Sequence, residues 1–240
     1  MKKLYSAAIL GVAALSLSVL SSCRFGCVRG SGHQITENHK VSDFTGLDIS
    51  GGFKINLKQD SSLTVSVTAD DNLMKYIHIN SEGDKLRIYS KKTVCGSGET
   101  ILNIGVKNLE AIKTSGGINL ITDGKLNTKD LHLKLSGASR VDMDLNAANL
   151  FTEGSGSTDI TLRGQATSHK IEFAGSGKVK AGDFVVGSYD IETTGASDCI
   201  INVLKDLNVN TTGAADIKYR GNPTNVNTSK TGAASVTKIN

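Results

Sequence analysis

The stretch Thr211-Thr212-Gly213-Ala214-Ala215-Asp216-Ile217 decides the fold, because variants of this phrase recur along the second half of the chain. Between residues 113 and 240 the phrase occurs seven times, each time with glycine at its third position. We call these residues the anchor glycines: Gly116, Gly137, Gly156, Gly175, Gly195, Gly213 and Gly232. Successive anchors are separated by 18 to 21 residues. A period of this size indicates stacked structural repeats.

Side chains around each anchor alternate between apolar and polar, as they do along a β-strand. The fourth residue after each anchor is apolar: Leu120, Val141, Ile160, Val179, Cys199, Ile217 and Val236. Apolar residues also precede the anchors, so we predict that two strands flank every anchor. The residue directly after the anchor is always small, which predicts an inside corner with no room for a larger side chain. The anchor itself predicts a bend that needs a positive φ or a close backbone approach.

One repeat of about 19 residues is too small to fold alone. Its inward apolar side chains supply roughly 2 kcal/mol each, whereas ordering the backbone costs roughly 1.5 kcal/mol per residue. Helical repeats are excluded because the segments are short, alternate with period 2 and are rich in Thr, Val and Ile. The sequence therefore predicts a parallel β-solenoid whose coils lie about 4.8 Å apart and hydrogen-bond to each other.

The first 22 residues are typical of an export signal that is removed from the mature protein. Lys2 and Lys3 form the basic start, and an apolar stretch follows. The tetrapeptide Leu20-Ser21-Ser22-Cys23 resembles the lipobox of bacterial lipoproteins, which predicts lipid attachment at Cys23. The alternative is an ordinary secreted protein with a chance cysteine at this point. Arg24 stands where an Asp would indicate the inner membrane, so we expect an outer-membrane lipoprotein. The sequence does not decide whether it faces the periplasm or the cell surface.

Composition excludes some classes of partner. Without Lys2 and Lys3 the formal net charge falls from +4 to +2, so we expect no nucleic-acid binding. The chain has no Trp and a single Pro, which leaves neither an aromatic stacking platform nor a proline-rich ligand segment.

The mature chain divides into three predicted parts. Residues 23–40 lack periodicity and are predicted to form a flexible tether. Residues 41–110 are β-rich but less regular, and we expect the first coils and a cap over the N-terminal end, with a short helix after Asp70 and a hairpin turn at Gly83. Residues 111–240 hold the regular repeats, and the last coil is expected to be polar.

Three motifs carry a resemblance to a known family. Phe44–Ile55, Ser115–Leu120 and Tyr219–Pro223, combined with the lipobox and the serial glycine phrases, resemble the head GIN domain family, which is also described as auto-transporter adhesins and is common in Bacteroidetes envelopes. The resemblance covers most of the mature chain. It implies a right-handed parallel β-helix related in shape to pectin lyases, without their catalytic residues, and a role in adhesion.

Charged side chains should form rows when the coils stack. The third residue after successive anchors gives the row Arg140, Asp159, Lys178, Asp198 and Asp216, in which the first four alternate in sign. The third residue before the anchors gives a like-charged row of glutamates that should repel. The candidate ligand or cation face therefore comprises Glu153, Glu172, Glu192, Asp198 and Asp216. The alternative is a solvated surface that only maintains solubility.

No catalytic, metal or cofactor site is predicted. A polysaccharide lyase or hydrolase needs an acid and a base in one cleft, and the row after the anchors supplies Arg140, Asp159 and Lys178 as candidates. No aromatic platform accompanies them. The five histidines fall at unrelated repeat positions and are expected at the surface, and no metal-ligand spacing joins them to cysteine.

The remaining cysteines have different expected roles. Cys199 occupies an inward apolar slot and should be a buried thiol. Cys27 and Cys95 could form a disulfide in an exported protein, but the sequence leaves their pairing open.

Together these features predict a lipid-anchored, non-catalytic envelope protein that acts as an adhesin. Its ligand would be an extended glycan or a surface protein, bound on a strand face of the β-helix. Ser and Thr hydroxyls recur before the anchors and could contact a glycan, but hydroxyls at a tight corner more often satisfy local backbone groups. The alternatives are a polysaccharide-active enzyme of pectin-lyase-like shape and a periplasmic structural scaffold. The oligomeric state stays open.

Overall fold

The structure, a computed structural model, describes residues 26–96 and 98–240. The predicted signal segment and Cys23 lie outside the described residues. The predicted all-β class is confirmed, since the described part contains twelve strands and one short helix. In chain order these are β1 Cys27–Arg29, β2 Gln34–Lys40, β3 Gly46–Gln59, β4 Thr64–Asp70, α1 Asp71–Met74, β5 Ile77–Glu82, β6 Lys85–Ser90, β7 Thr93–Cys95, β8 Ile101–Val106, β9 Ala111–Asn127, β10 Asp130–Arg220, β11 Asn225–Gly232 and β12 Ser235–Lys238. The described residues contain no helix that is both long and apolar enough to cross a membrane.

Repeats that follow one another in sequence pair in parallel. β3 pairs with β9 so that Gly51 faces Gly116, β9 pairs with β10 so that Gly116 faces Gly137, and β10 pairs with β11 so that Gly213 faces Gly232. Within β10 the glycine column continues, because a Cβ on each anchor would contact the carbonyl oxygen of the preceding anchor. We call each repeat a rung and identify it by its anchor. Gly51 thus belongs to the first of eight rungs.

The anchors need glycine for the reason predicted from the sequence. Gly137 has a φ of +87°, and a Cβ there would lie 2.7 Å from the carbonyl oxygen of Gly116. The prediction for the following residue is wrong. A Cβ on Gly117 would meet no atom within 4 Å, and Ala138 and Ser157 are exposed. The bend therefore projects toward solvent, and the next residue is not confined at an inside corner.

The core lies inside the stacked rungs and is filled by the inward side chain of every second residue. Ile49, Leu133, Ile191 and Ile217 are fully buried in this way. One prediction fails here, because His169 was expected at the surface but is 1% exposed. His169 occupies the inward slot six residues before its anchor, which is leucine or tyrosine in neighbouring rungs.

The N-terminal part covers one end of the stack, as expected. β6 and β8 pair in parallel with the outer side of β3. β5 is antiparallel to β6, β4 is antiparallel to β8, and β2 is antiparallel to β4. The turn between β5 and β6 contains Gly83 with a φ of +63°, and α1 begins directly after Asp70, so both local predictions are confirmed. The side chain of Asp70 makes no capping hydrogen bond to α1.

The prediction of a flexible tether is wrong for the described residues that form strands. β2 pairs along its whole length with β4, and β1 pairs in parallel with β7. Edge strands carry polar residues on both sides, so the sequence of β2 gave no alternating signal. Its backbone groups nevertheless satisfy the edge of β4, which would otherwise stay open.

The C-terminal end of the stack is a polar, exposed rung. Every residue of β11 is exposed, and Val226 in an inward slot of this rung is 42% exposed. Lys230 and Lys238 occupy inward slots that are apolar in several earlier rungs and are exposed here. The predicted polar terminal rung is confirmed.

Candidate functional site

A band of small side chains runs along the outside of the stack at the bend. We call it the glycine strip, and it comprises the eight anchors with the residues directly before and after each of them. The residues before are Ser50, Ser115, Ser136, Ser155, Ala174, Thr194, Thr212 and Thr231. The residues after are Gly52, Gly117, Ala138, Ser157, Ser176, Ala196, Ala214 and Ala233. Seven rung spacings of about 4.8 Å give the strip a length of roughly 34 Å. No bulky side chain belongs to it.

A groove follows the strip on the side that precedes the anchors. Its volume is about 370 Å³, and it spans four rungs. The structure brings Glu153, Glu172 and Glu192 together in this groove, which we call the glutamate groove. Its other lining residues are Lys134, Leu135, Ser136, Gly154, Ser155, Phe173, Ala174 and Thr194.

The repulsion expected among the three glutamates is relieved by basic residues. Lys134 Nζ lies 2.6 Å from Glu153 Oε2, and Lys170 Nζ lies 2.7 Å from Glu172 and 3.5 Å from Glu192. The hydrogen bond from Lys134 holds the pKa of Glu153 below its usual value, and the hydrogen bond to Glu172 raises the pKa of Lys170. Lys134 and Lys170 therefore offset part of the negative charge of the groove.

Asp198 and Asp216 are not part of this groove. They line a separate, open depression of about 630 Å³ on the other side of the anchors. Lys178 lies 3.7 Å from Asp198, and Lys218 lies 2.6 Å from Asp216. The bond from Lys218 lowers the pKa of Asp216. The five acidic residues proposed from sequence thus divide between two surfaces. Among the described residues, no group of three or more His, Cys, Asp and Glu side chains is placed to hold a metal ion.

The residues considered for catalysis are engaged in ion pairs on an exposed strand face. Asp159 lies 3.8 Å from Arg140 and 3.3 Å from Lys180. Lys178 pairs with Asp198 instead. Such exposed pairs are typical of a solvated surface that neutralises its own charge.

An aromatic pair beside the glutamate groove was missed by the sequence analysis. The rings of His132 and Phe151 lie 4.5 Å apart, and Lys170 Nζ lies 5.8 Å from the Phe151 ring. His132 Nε2 also lies 3.0 Å from Glu153. Both aromatic residues stand five residues before their anchors in adjacent rungs, so alignment on the anchors would have revealed the pair.

A second feature missed from sequence is a cavity at the capped end of the strip. We call it the cap cavity, and its volume is about 440 Å³. Its residues come from five separate segments that only the folded chain brings together. They are Gly51, Gly52, Phe53, Leu73, Ile77, Ser90, Lys91, Lys92, Thr93, Val94, Thr100, Gly116 and Gly117.

Two of the cysteines lie at the same end of the molecule, and a third is buried in a later rung. Cys27 and Cys95 form a disulfide with their Cα atoms 5.7 Å apart, which ties β1 to β7 next to the cap cavity. Cys199 is a free, buried thiol, and burial raises its pKa to about 12. An inert structural role follows for Cys199, because the thiolate is the reactive form.

A sequence model of the family described as "Putative auto-transporter adhesin, head GIN domain" matches residues 43–223. No curated protein matches the chain.

Solved structures share the fold. A putative adhesin from Bacteroides fragilis is 23% identical with a TM-score of 0.84, and the alignment covers 88% of this chain and 100% of that one. A putative adhesin from Parabacteroides distasonis is 23% identical with a TM-score of 0.69, over 88% and 99% of the two chains. A putative lipid binding protein from the same species is 20% identical with a TM-score of 0.69, over 89% and 99%.

Proposed function

The chain belongs to the head GIN domain family of adhesins, and we propose that it is a non-catalytic adhesin of the cell envelope that binds an extended glycan along the glycine strip. The glutamate groove is the centre of the proposed site. The protein would act by holding its ligand, since the candidate acid and base residues are engaged in ion pairs on an open face.

We also propose that the rungs wind as a right-handed parallel β-helix. Support comes from the parallel register between rungs and from the continuous column of anchors from Gly51 to Gly232. Side-chain ladders follow the same spacing, such as Asn149 Nδ2 donating to Asp130 Oδ1 at 2.6 Å and Ser168 Oγ donating to Asn149 Oδ1 at 2.8 Å. Stacked coils of this kind create long surfaces that suit extended ligands.

The observation that carries the proposal is the repetition of polar groups along a smooth exposed strip. The rungs beside the groove offer hydroxyls directly before the anchors, at Ser155 and Thr194, and carboxylates three residues before the anchors, at Glu153, Glu172 and Glu192. A polymer of similar units can make the same contact in each rung. Sugar hydroxyls both donate and accept hydrogen bonds, so carboxylates flanked by lysine ammonium groups suit them.

The aromatic pair supplies the other half of sugar recognition. Phe151 and His132 lie beside the groove. His132 contacts Glu153 in the groove, and Phe151 lies against His132 and near Lys170. Aromatic rings pack against apolar faces, and the CH face of a pyranose ring is such a surface. The pair therefore supports a glycan over a protein strand as the ligand.

Membrane anchoring is part of the proposal and rests on sequence. Cys23 would carry the lipid, and the protein would reside in the outer membrane. Labelled palmitate should be incorporated by the natural chain and not by a Cys23→Ala variant. Incorporation into the variant would overturn the anchor at this residue.

Binding should be tested on a glycan array with purified residues 24–240. The informative variant is Ala174→Trp, because Ala174 is exposed and lines the groove. The matched control is Thr212→Trp, at the equivalent exposed position of a rung outside the groove. We expect the first variant to lose glycan affinity by about tenfold or more, which is about 1.4 kcal/mol. The control lies in the strip but outside the groove, so it should lose clearly less affinity than Ala174→Trp.

Two outcomes would overturn the proposal. Failure of the natural chain to bind any glycan would remove the function, and capture of a surface protein instead would replace the ligand class. Equal binding by both tryptophan variants would place the site away from the glutamate groove. Release of shortened sugar chains in the same assay would contradict the non-catalytic role.

A further inference from the structure

Two glycines in the strip have no structural reason to be glycine. At the position directly after the anchor, the first two rungs have glycine, Gly52 and Gly117, whereas the other six rungs have Ala or Ser. Neither glycine has a φ in the left-handed range. A Cβ at either position would meet no atom within 4 Å.

This choice costs stability, since glycine in a strand is less favourable than alanine by roughly 0.5–1 kcal/mol. The later rungs show that the same backbone position accepts a side chain, as at Ala138 and Ala214. Glycine inside a strand is often found where a ligand approaches the backbone closely. The open space above Gly52 and Gly117 is therefore a place where a ligand can approach the backbone closely.

That space is the cap cavity. Its floor is the backbone of the first two rungs, and its apolar walls include Phe53, Leu73 and Ile77. Its volume of about 440 Å³ falls within the range of roughly 300–1,000 Å³ for small-molecule sites. The cavity is thus large enough for a sugar residue.

The wall formed by the segment before Cys95 is held in place from both sides. Lys91 N donates to Tyr76 O at 2.9 Å, and Ser90 Oγ donates to Lys92 O at 2.8 Å. The disulfide to Cys27 fixes the segment just beyond. A wall restrained in this way loses little further freedom on binding, which favours affinity.

The charge of the cavity selects the ligand. Lys91 and Lys92 are exposed at its rim, and neither forms an ion pair with any residue that the structure describes. None of the described lining residues is acidic. Hydroxyls of Ser90, Thr93 and Thr100 complete the polar part of the lining. Two free cations, several hydroxyls and a short apolar wall fit a ring that carries hydroxyl groups and a carboxylate.

The cavity is continuous with the strip. Gly117 also lines the adjoining depression of about 330 Å³, together with Ala138 and Ser157 of the next two rungs. A chain whose end occupies the cavity can therefore continue along the strip.

We propose that the cap cavity binds a carboxylated sugar, such as a uronic acid, at the end of a glycan whose remaining units lie along the glycine strip. This inference rests on the proposed function. Lys91 and Lys92 neutralise the carboxylate, and the bare backbone of Gly52 and Gly117 admits the ring.

The test compares the purified protein with two variants that place the same side chain at equivalent strip positions. Gly117→Phe puts a phenyl ring into the cavity, and Ala214→Phe puts it on a distant rung. The probes are oligosaccharides that end in glucuronic, galacturonic or N-acetylneuraminic acid, each paired with a neutral-ended counterpart. Titration calorimetry measures the affinities, and thermal melting checks that each variant is folded.

We expect the natural protein to bind acid-ended probes about tenfold more tightly than neutral ones. Gly117→Phe should remove this preference. Ala214→Phe, in the strip five rungs from Gly117, should affect acid-ended and neutral probes alike and so retain the preference. A Lys91→Gln/Lys92→Gln double variant, which changes only exposed residues, should bind both probe classes with the affinity of the neutral ones. Added salt should weaken acid-ended binding more than neutral binding.

Each contrary result has a distinct meaning. Equal affinity for acidic and neutral ends, or an unchanged preference in Gly117→Phe, would overturn the cavity assignment while glycan binding along the strip stands. A long-chain fatty acid that binds the natural protein but not Gly117→Phe, without any sugar preference, would replace the sugar by a lipid. Binding to no glycan at all would remove the proposed function and this inference with it.

Discussion

The stack of rungs is terminated differently at its two ends. At the N-terminal end, β6 and β8 form a further layer on β3, and antiparallel strands β2, β4 and β5 cover its edges. At the C-terminal end, β11 and β12 pair only with β10 among the described strands, and all of β11 is exposed. One end is closed by added structure and the other by polar residues in the inward slots.

The difference matters because the added structure at the N-terminal end forms the cap cavity. Covering the first rung required about fifty residues between β3 and β9, and those residues supply the lysines and apolar walls of the cap cavity. The polar end has no such insertion. A stack can thus be terminated by substitution alone, whereas the cap cavity needs chain that departs from the repeat.

The strongest test of this comparison is an anchor substitution in the middle of the stack and at its polar end. Gly137→Ala should lower the free energy of unfolding by about 4 kcal/mol, since a Cβ there combines a positive φ with a backbone clash. Gly232→Ala faces similar geometry, but the last rung can detach, so about 1 kcal/mol is expected. Urea unfolding measures both.

The control is Gly117→Ala, which has neither a positive φ nor a close atom. It should be neutral or slightly stabilising. Equal losses at Gly137 and Gly232 would show that the last rung is as firmly held as the interior.

The next effect concerns the covered end. Cys27 and Cys95 are separated by 68 residues, so a Cys27→Ser/Cys95→Ser variant should lose about 3 kcal/mol. Hydrogen exchange should show loss of protection in β1 and β7, while the rungs from Gly137 to Gly213 stay protected. A reducing agent should reproduce the effect in the natural chain and add nothing in the variant. Faster exchange throughout the stack would contradict a local role.

The smallest effect lies in the interior between the ends. Burial lowers the pKa of His169 to about 3, with Thr152 Oγ1 3.0 Å from its Nε2. In the unfolded chain the imidazole takes a proton below about pH 6.5, whereas the folded protein takes it only near pH 3. Stability is therefore lost as the pH falls through this window.

Between pH 6.5 and 4.5, the free energy of unfolding of a His169→Leu variant should fall by about 2 kcal/mol less than that of the natural chain. Leucine is chosen because Leu131 and Leu150 fill the same slot in nearby rungs. The exposed residue His33 provides the control, and His33→Gln should keep the loss of stability that His169→Leu removes. An identical acid dependence in both variants would mean that His169 is not sealed from water.

The repeat part was predictable because its signals are local. The spacing of the anchors and the alternation around them gave parallel stacking, the need for glycine at Gly137 and the burial of Cys199. The errors arose where neighbouring residues in sequence gave no signal. Polar β2 was interpreted as tether, and His169 was assigned to the surface because its repeat position was not compared with Leu150 and Tyr189.

The candidate site was only half predictable for the same reason. Glu153, Glu172 and Glu192 come together because equal repeat positions stack, so the sequence could place them side by side. Their neutralisation by Lys134 and Lys170 was not foreseen, because each lysine had to be assigned to its own position in a rung.

By itself, the sequence determined the periodic part of this protein: its strands, its stacked rungs, its glycine column and the rows of side chains on its faces. The tertiary structure alone decided the cap cavity, the disulfide that braces it and the separation of the acidic residues onto two surfaces. The physical reason is that repetition encodes neighbours one rung apart at a fixed spacing, whereas the cap joins segments whose contacts depend on the path of the whole folded chain.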